Sequence, residues 1–246
     1  DHRDLHSFPT RRSSDLNQDK DNFLKILAHD LRNPILSISG FSELLLNNFR
    51  SYNEDKMENH LNILHGSASR TLDLLEELLL WSRSQSGKIP FDPKTINFTI
   101  LCDEVISLMI ESARSKDITI SFQGDADIQL FADANMLRTI MRNLISNAIK
   151  FTHPKGKIAI TSEPAGAFAT ITVSDNGIGI GQSETDRLWQ ISEVFTTPGT
   201  KGEKGTGFGL MLCKEFVDKQ GGKIWVESEV GVGSDFKFTI PLKLSL

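Results

Sequence analysis

Asn143-Leu-Ile-Ser-Asn147-Ala-Ile-Lys150-Phe-Thr152 is the stretch on which the fold turns. Asn143, Asn147 and Lys150 are spaced by four and three residues, the separations that place side chains on one helical face. Leu137, Ile140, Met141, Leu144, Ile145 and Ala148 supply a broad apolar face around the rest. The pattern predicts a largely buried helix with one polar stripe of two amides and an ammonium. Such a stripe suits a partner that takes several hydrogen bonds and carries charge, and a hydrated metal ion with polyphosphate is one.

Working outward, Asp133 is placed to cap this helix. Residues 118–122 and 128–131 read as short strands, and residues 99–115 and 207–220 as helices. Residues 157–162 and 167–174 alternate as a hairpin, and 223–228 with 234–241 form a closing hairpin turned by Gly231-Val-Gly233. Residues 181–204 are long, polar and poorly periodic, as expected of a mobile loop with some local helix. The predicted class is α+β: a helical layer on one mixed, mostly antiparallel sheet.

The N-terminal part has a different period. Phe23, Leu27, Leu31, Ile35, Ile38, Phe41 and Leu45 mark a helix over 20–49 that Pro34 is expected to kink. A polar break at 47–56 precedes a second stripe, Met57, Leu61, Leu64, Ala68, Leu72, Leu75 and Leu79. Two stripes joined by a short loop make a helical hairpin. A lone hairpin exposes part of its stripe, so two copies would pair into a four-helix bundle, which predicts a homodimer. The expected divisions are residues 1–16, a dimerisation domain at 17–84, a linker at 85–95 marked by Gly87, Pro90 and Pro93, and a second domain at 96–246. Residues 1–16 resemble the conceptual translation of a short-read sequencing adapter. They are expected to be a disordered artefact that replaces the natural N-terminus.

Composition excludes several classes. Lys plus Arg is 27 against 32 Asp plus Glu, a net charge of −5 that gives no support to nucleic-acid binding. Cys102 and Cys213 lie far apart in helical patterns and read as small buried hydrophobes in a reducing compartment. No apolar run approaches the roughly 18 residues of a transmembrane helix, and no signal peptide is visible. A cytoplasmic location is expected for this portion, with any inner-membrane anchor in missing upstream sequence.

Four motifs occur in order: Phe23-Leu-Lys-Ile-Leu-Ala-His29-Asp30-Leu-Arg-Asn33-Pro34, then Asn143 to Thr152, Asp175-Asn-Gly177-Ile-Gly179, and Gly205-Thr-Gly207-Phe-Gly209. Together they resemble the phosphoacceptor, N, G1 and G2 boxes of the bacterial sensor histidine kinases of two-component signalling. The resemblance covers roughly residues 20 to 242 and implies a dimerisation and phosphoacceptor hairpin followed by a Bergerat (GHKL) two-layer α/β sandwich. It implies that His29 attacks the γ-phosphate of ATP, a task suited to a neutral imidazole. Asp30 would orient the imidazole and act as base, although adjacent helical side chains diverge by about 100°. Asn33 would align water for hydrolysis. Asn147 would ligate Mg²⁺ with help from Asn143, and Lys150 would neutralise phosphate charge. The Asp175 carboxylate would accept a hydrogen bond from the adenine amino group, while Gly177 and Gly179 let backbone approach the base. Gly205, Gly207 and Gly209 precede a helix start that favours phosphate. The implied partners are a second copy of the chain and the receiver domain of a response regulator.

His60 and His65 lack any such context, and His153 is compatible with a structural role. Phe208 stands where the family usually has Leu, the surroundings of Phe195 match its F box loosely, and Lys201 and Lys204 receive no firm phosphate role. Neither glycine cluster fits G-x-G-x-x-G, because positions 182 and 212 are Gln and Leu; P-loop, H-R-D and D-F-G motifs are absent. Two alternatives stay open: an ATPase of the same fold without phosphotransfer, and a dimeric scaffold with a degenerate nucleotide site.

Overall fold

The computed structural model describes residues 13–124, 128–185, 187–189, 197–203, 205 and 207–243; the side chains of 13–27, 29, 30 and 85 are outside the description. The chain divides into two compact units, one running to Thr71 and one from Leu72 onward. Among the described residues no helix is long and apolar enough to cross a membrane.

In the first unit, α1 (Ser13–Asn48) is followed by the start of α2 (Glu54–Gln85). α1 runs through Pro34 without interruption, so the missing N–H costs a hydrogen bond but does not end the helix. It also takes in Ser13 to Leu16, four residues of the segment expected to be disordered. Extending an existing helix adds one hydrogen bond per residue ordered, which is far easier than nucleation. The Asn53 side chain accepts from the Lys56 N–H at 3.1 Å and starts α2. His60, which the sequence leaves without a context, is buried. Its ring centroid lies 5.2 Å from that of Phe41 and 5.1 Å from that of Tyr52. It serves as a packing residue.

The second unit is a two-layer sandwich. Its sheet has the order β2-β4-β5-β7-β6, drawn from β2 (Thr119–Gly124), β4 (Lys157–Ala165), β5 (Phe168–Asp175), β6 (Ile224–Glu229) and β7 (Gly233–Pro241). Only β2 with β4 is parallel. Ala169, Ile171 and Val173 of β5 are buried while Thr170, Thr172 and Ser174 between them are half-buried, the alternation of a sheet covered on one face. The covering layer is α3 (Phe98–Arg114), α4 (Ala134–Phe151) and α6 (Gly209–Lys219), with the short α5 (Gln182–Thr185) before the second glycine cluster. α4 is the centre of the core: Leu137, Ile140, Met141, Leu144 and Ile145 have no exposed surface.

The sequence reading missed β1 (Lys94–Asn97), which pairs antiparallel with β3 (Gln129–Ala132) as a separate two-stranded sheet. It therefore ended the linker inside a strand. Four residues whose partner lies far along the chain carry no periodic signal of their own.

Both ends of α4 are held by side chains. Asp133 accepts from the N–H groups of Asn135 (3.0 Å) and Met136 (3.2 Å) and, through its other oxygen, from the Asp92 N–H at 3.1 Å. At the other end the Lys116 ammonium reaches the carbonyls of Ile149 and Lys150. Replacing Asp133→Ala is expected to cost about 1–2 kcal/mol of unfolding free energy. Denaturant unfolding followed by circular dichroism should show this, with Asp133→Asn recovering most of the loss.

Candidate functional site

α4 presents Asn143, Asn147 and Lys150 as half-buried residues, while Leu144, Ile145, Ala148 and Ile149 beside them are buried. The polar stripe lies where the 3.6-residue period requires it. The Asn143 amide donates a long hydrogen bond, 3.3 Å, to the Gly209 carbonyl at the start of α6. A Cβ at Gly209 would stand 3.4 Å from Asn143 Cγ, in contact with that amide. Lys150 Nζ stands 2.7 Å from where a Cβ on Gly205 would be, and 4.4 Å from the centre of the Phe151 ring. Of the glycines of the last motif, Gly205 thus stands against Lys150, and Gly207 adopts a φ of 77°.

Burial depresses the Lys150 ammonium below its usual value, and the nearby Glu203 carboxylate partly offsets that. A desolvated cation gains most from an incoming anion. The first residue of α6 follows Phe208, which has no side-chain cap on that helix. The initial N–H groups of α6 and the positive end of its dipole therefore lack a competing side-chain acceptor from the cap position.

Asp175 ends β5. Burial pushes its carboxyl up to about 6, although the backbone N–H groups of Gly177 and Ser234 hold it lower than burial alone would, and the Asp235 charge adds to the rise. Its Oδ1 accepts from the Gly177 N–H at 2.9 Å, the tight turn expected of Asp-Asn-Gly. The glycines that follow have reasons within the protein itself. A Cβ on Gly177 would strike the Phe151 carbonyl oxygen at the end of α4, and Gly179, at a φ of 68°, lies against the Glu229 carbonyl. The Ile178 N–H donates to the Phe151 carbonyl at 3.1 Å and the Gly231 N–H to the Ile178 carbonyl at 2.8 Å. The turn is thus held between the C-terminus of α4 and the β6–β7 turn, which aims the Asp175 carboxylate.

Of the other residues singled out, Asn33 is an exposed residue of α1, and the side chains of His29 and Asp30 lie outside the described residues. Phe195 and Lys204 also lie outside them. Lys201 donates to the Ser115 carbonyl at 2.6 Å, just past the end of α3, which keeps its ammonium occupied. Cys102 and Cys213 are buried free thiols, each pushed up to about 12 by burial. Sequence reasoning missed Lys116, a 3% exposed lysine. Lysine is a surface residue by default, and no local pattern flags a buried one.

Two asparagine oxygens are hard ligands that suit Mg²⁺, which keeps several waters. Asn143 donates from its nitrogen to Gly209, and its oxygen is the atom a cation would take. Among the described residues no group of three His, Cys, Asp or Glu side chains could hold a metal by itself. The residues fit a cation carried in largely by phosphate and water, and fit no all-protein metal cage.

Residues 19–87 match the His Kinase A (phospho-acceptor) domain and residues 132–244 the histidine kinase-, DNA gyrase B-, and HSP90-like ATPase domain. The chain is 33% identical over 228 residues to the circadian input-output histidine kinase CikA of Synechococcus elongatus, covering 92% of this chain and 30% of that protein. It is 29% identical to the signal transduction histidine-protein kinase BarA of Escherichia coli, covering 96% of this chain and 26% of that one. The chain therefore spans less than a third of the length of these curated relatives. Among solved structures, histidine kinase ThkA in complex with response regulator protein TrrA superposes with a TM-score of 0.71 at 25% identity, over 96% of this chain and 68% of that one. Acinetobacter baumannii histidine kinase AdeS, at 19% identity, shares the fold with a TM-score of 0.70 over 88% of this chain and 98% of that one. With a phosphoacceptor domain and an ATPase domain of this kind in one chain, the protein belongs to the sensor histidine kinases, of which it carries the catalytic core.

Proposed function

We propose that this chain autophosphorylates His29 from ATP and passes the phosphoryl group to an aspartate on the receiver domain of a response regulator. The observation that carries the reading is the meeting of Asn143 with Gly209 and of Lys150 with Gly205, which brings amide, ammonium and helix N-terminus to the same glycine segment. Asp175, half-buried and still bonded to Gly177, supports adenine recognition at the other end. We assign residues 17–84 to dimerisation and phosphoacceptance, the residues between α2 and β1 to a linker, and the chain from β1 onward to ATP binding.

In the reaction a His29 ring nitrogen attacks the γ-phosphorus, the bond from that phosphorus to the β–γ bridging oxygen breaks, and ADP leaves. Asp30 orients the imidazole and takes its proton. Lys150, Gly205, Gly207 and Gly209 bind the phosphates and neutralise charge that moves toward the leaving oxygen. Asn147 with Asn143 would hold Mg²⁺, which supplies charge neutralisation on the triphosphate. Asn33 would align the water that hydrolyses the phosphorylated partner. The reducing environment implied by two free cysteines is consistent with a cytoplasmic location.

Dimerisation has support in the hairpin's surface. In the single chain Leu61, Leu72, Leu75 and Leu79, all from the predicted stripe of α2, are 44–56% exposed. A second copy would remove that apolar surface from water.

Three outcomes test the proposal. Incubation with γ-labelled ATP should give acid-labile, base-stable label, which His29→Gln abolishes while ADP affinity stays within about twofold. Label that persists in His29→Gln would refute the assignment. Nucleotide affinity should weaken as pH falls through about 6. An ionised Asp175 accepts a charge-assisted hydrogen bond from the adenine amino group; the protonated carboxyl offers only a weaker, neutral acceptor and an O–H that faces the amino donor. Titration calorimetry with ADP should show about a tenfold loss between roughly pH 7.5 and 5, beyond any change seen in Asp175→Asn, which cannot titrate. Finally, light scattering should return a dimer mass for the native chain and half of it for the Leu72→Glu, Leu79→Glu double variant.

A further inference from the structure

A buried cation sits at the C-terminus of the asparagine helix. Lys116 is 3% exposed, and its Nζ donates to the carbonyls of Ile149 (2.7 Å) and Lys150 (3.0 Å) and to Glu203 Oε1 (2.8 Å). A desolvated ammonium persists only when its donors are met. Here three donors meet two carbonyls left over at a helix end and one carboxylate.

The carboxylate organises the segment before the second glycine cluster. Glu203 Oε2 accepts from the Lys201 N–H at 2.8 Å, and the Glu203 carbonyl accepts from the Gly199 N–H at 2.7 Å. Thr200 then joins this segment to α4: its N–H donates to the Lys150 carbonyl at 3.0 Å and its hydroxyl to the Thr152 carbonyl at 2.8 Å. The backbone of Lys150 thereby holds residues 199–203, while the ammonium of the same residue stands at Gly205.

We propose that Lys116 and Glu203 are positioning residues for the triphosphate: the pair fixes residues 199–203 on the end of α4, so that the backbone of Gly205 and the Lys150 ammonium face the same phosphates. The inference rests on the ATP-binding reading above. Glu203 also neutralises Lys116, which leaves Lys150 as the cation for the ligand. Burial alone would raise the Glu203 carboxyl, but the hydrogen bond from Lys116 and two backbone N–H groups bring it below its usual value. It is therefore ionised at neutral pH.

A capping lysine with no bearing on ligand would leave nucleotide selectivity unmoved, which gives the test. Glu203→Ala removes the anchor but keeps both Lys116 carbonyl contacts, and because the Glu203 side chain is 36% exposed water can meet the third donor, so the core should survive. In the nucleotide-free chain, hydrogen–deuterium exchange should speed up in the amides of Thr200 to Gly202. Calorimetry should show ATP with Mg²⁺ binding about tenfold more weakly, adenosine binding unchanged, and Glu203→Gln falling between wild type and Glu203→Ala. Unchanged exchange would overturn the anchor. Faster exchange with ATP affinity within twofold of wild type, or equal losses for ATP and adenosine, would overturn the positioning role. If the wild-type chain bound no ATP, the nucleotide reading would fall and the positioning role with it, whereas the exchange result would still report on the anchor alone.

Discussion

The burial of α4 is the constraint on which the rest depends. A single helix packs Leu137, Ile140, Met141, Leu144 and Ile145 out of water, turns Asn143 toward the start of α6, and leaves Asn147 and Lys150 half-buried on the same face. Each fully buried aliphatic side chain stabilises by about 1.5–3 kcal/mol. The rotation of the helix about its axis is therefore set by the core. The polar stripe inherits that rotation, since a turn that exposed Leu144 would bury the amides without partners. Precision at the site is a by-product of packing on the opposite face.

The ends of the same helix extend this control. Asp133 holds the first turn and links it to Asp92, ahead of β1. Lys116 holds the last turn and links it to Glu203. The Phe151 carbonyl, also at that end, receives the Ile178 N–H and so locates the Asp175 turn. Both the carboxylate at one end of the site and the glycines at the other are thus referred to one rigid element, as pre-organised binding requires.

The glycines show how one residue type serves two demands. The family resemblance accounts for Gly177 and Gly179 by close approach of a base. The structure supplies a nearer reason, the carbonyls of Phe151 and Glu229, which leave no room for a Cβ. Glycine there is required by the fold before any ligand arrives. The hairpin of α1 and α2 shows the reverse situation, since half-exposed leucines of the α2 stripe are apolar surface that the single chain leaves in water.

The sequence by itself determined the elements whose signal is local and periodic. The amphipathic pattern of α4, the alternating strands of β4, β5 and β7, the Asp133 cap and the two helical stripes could all be read because neighbours three, four or two residues apart share a face. The glycine clusters and the Asp-Asn-Gly turn could be read because turn chemistry is also local. Only the tertiary structure decided what depends on residues distant in the chain. β1 forms because β3 lies beside it, His60 is buried because Phe41 and Tyr52 close over it, and Lys116 is a core residue because two carbonyls of α4 and Glu203 surround it. None of these carries a mark in its own neighbourhood, because a buried charge or a short strand is stabilised by partners and not by periodicity.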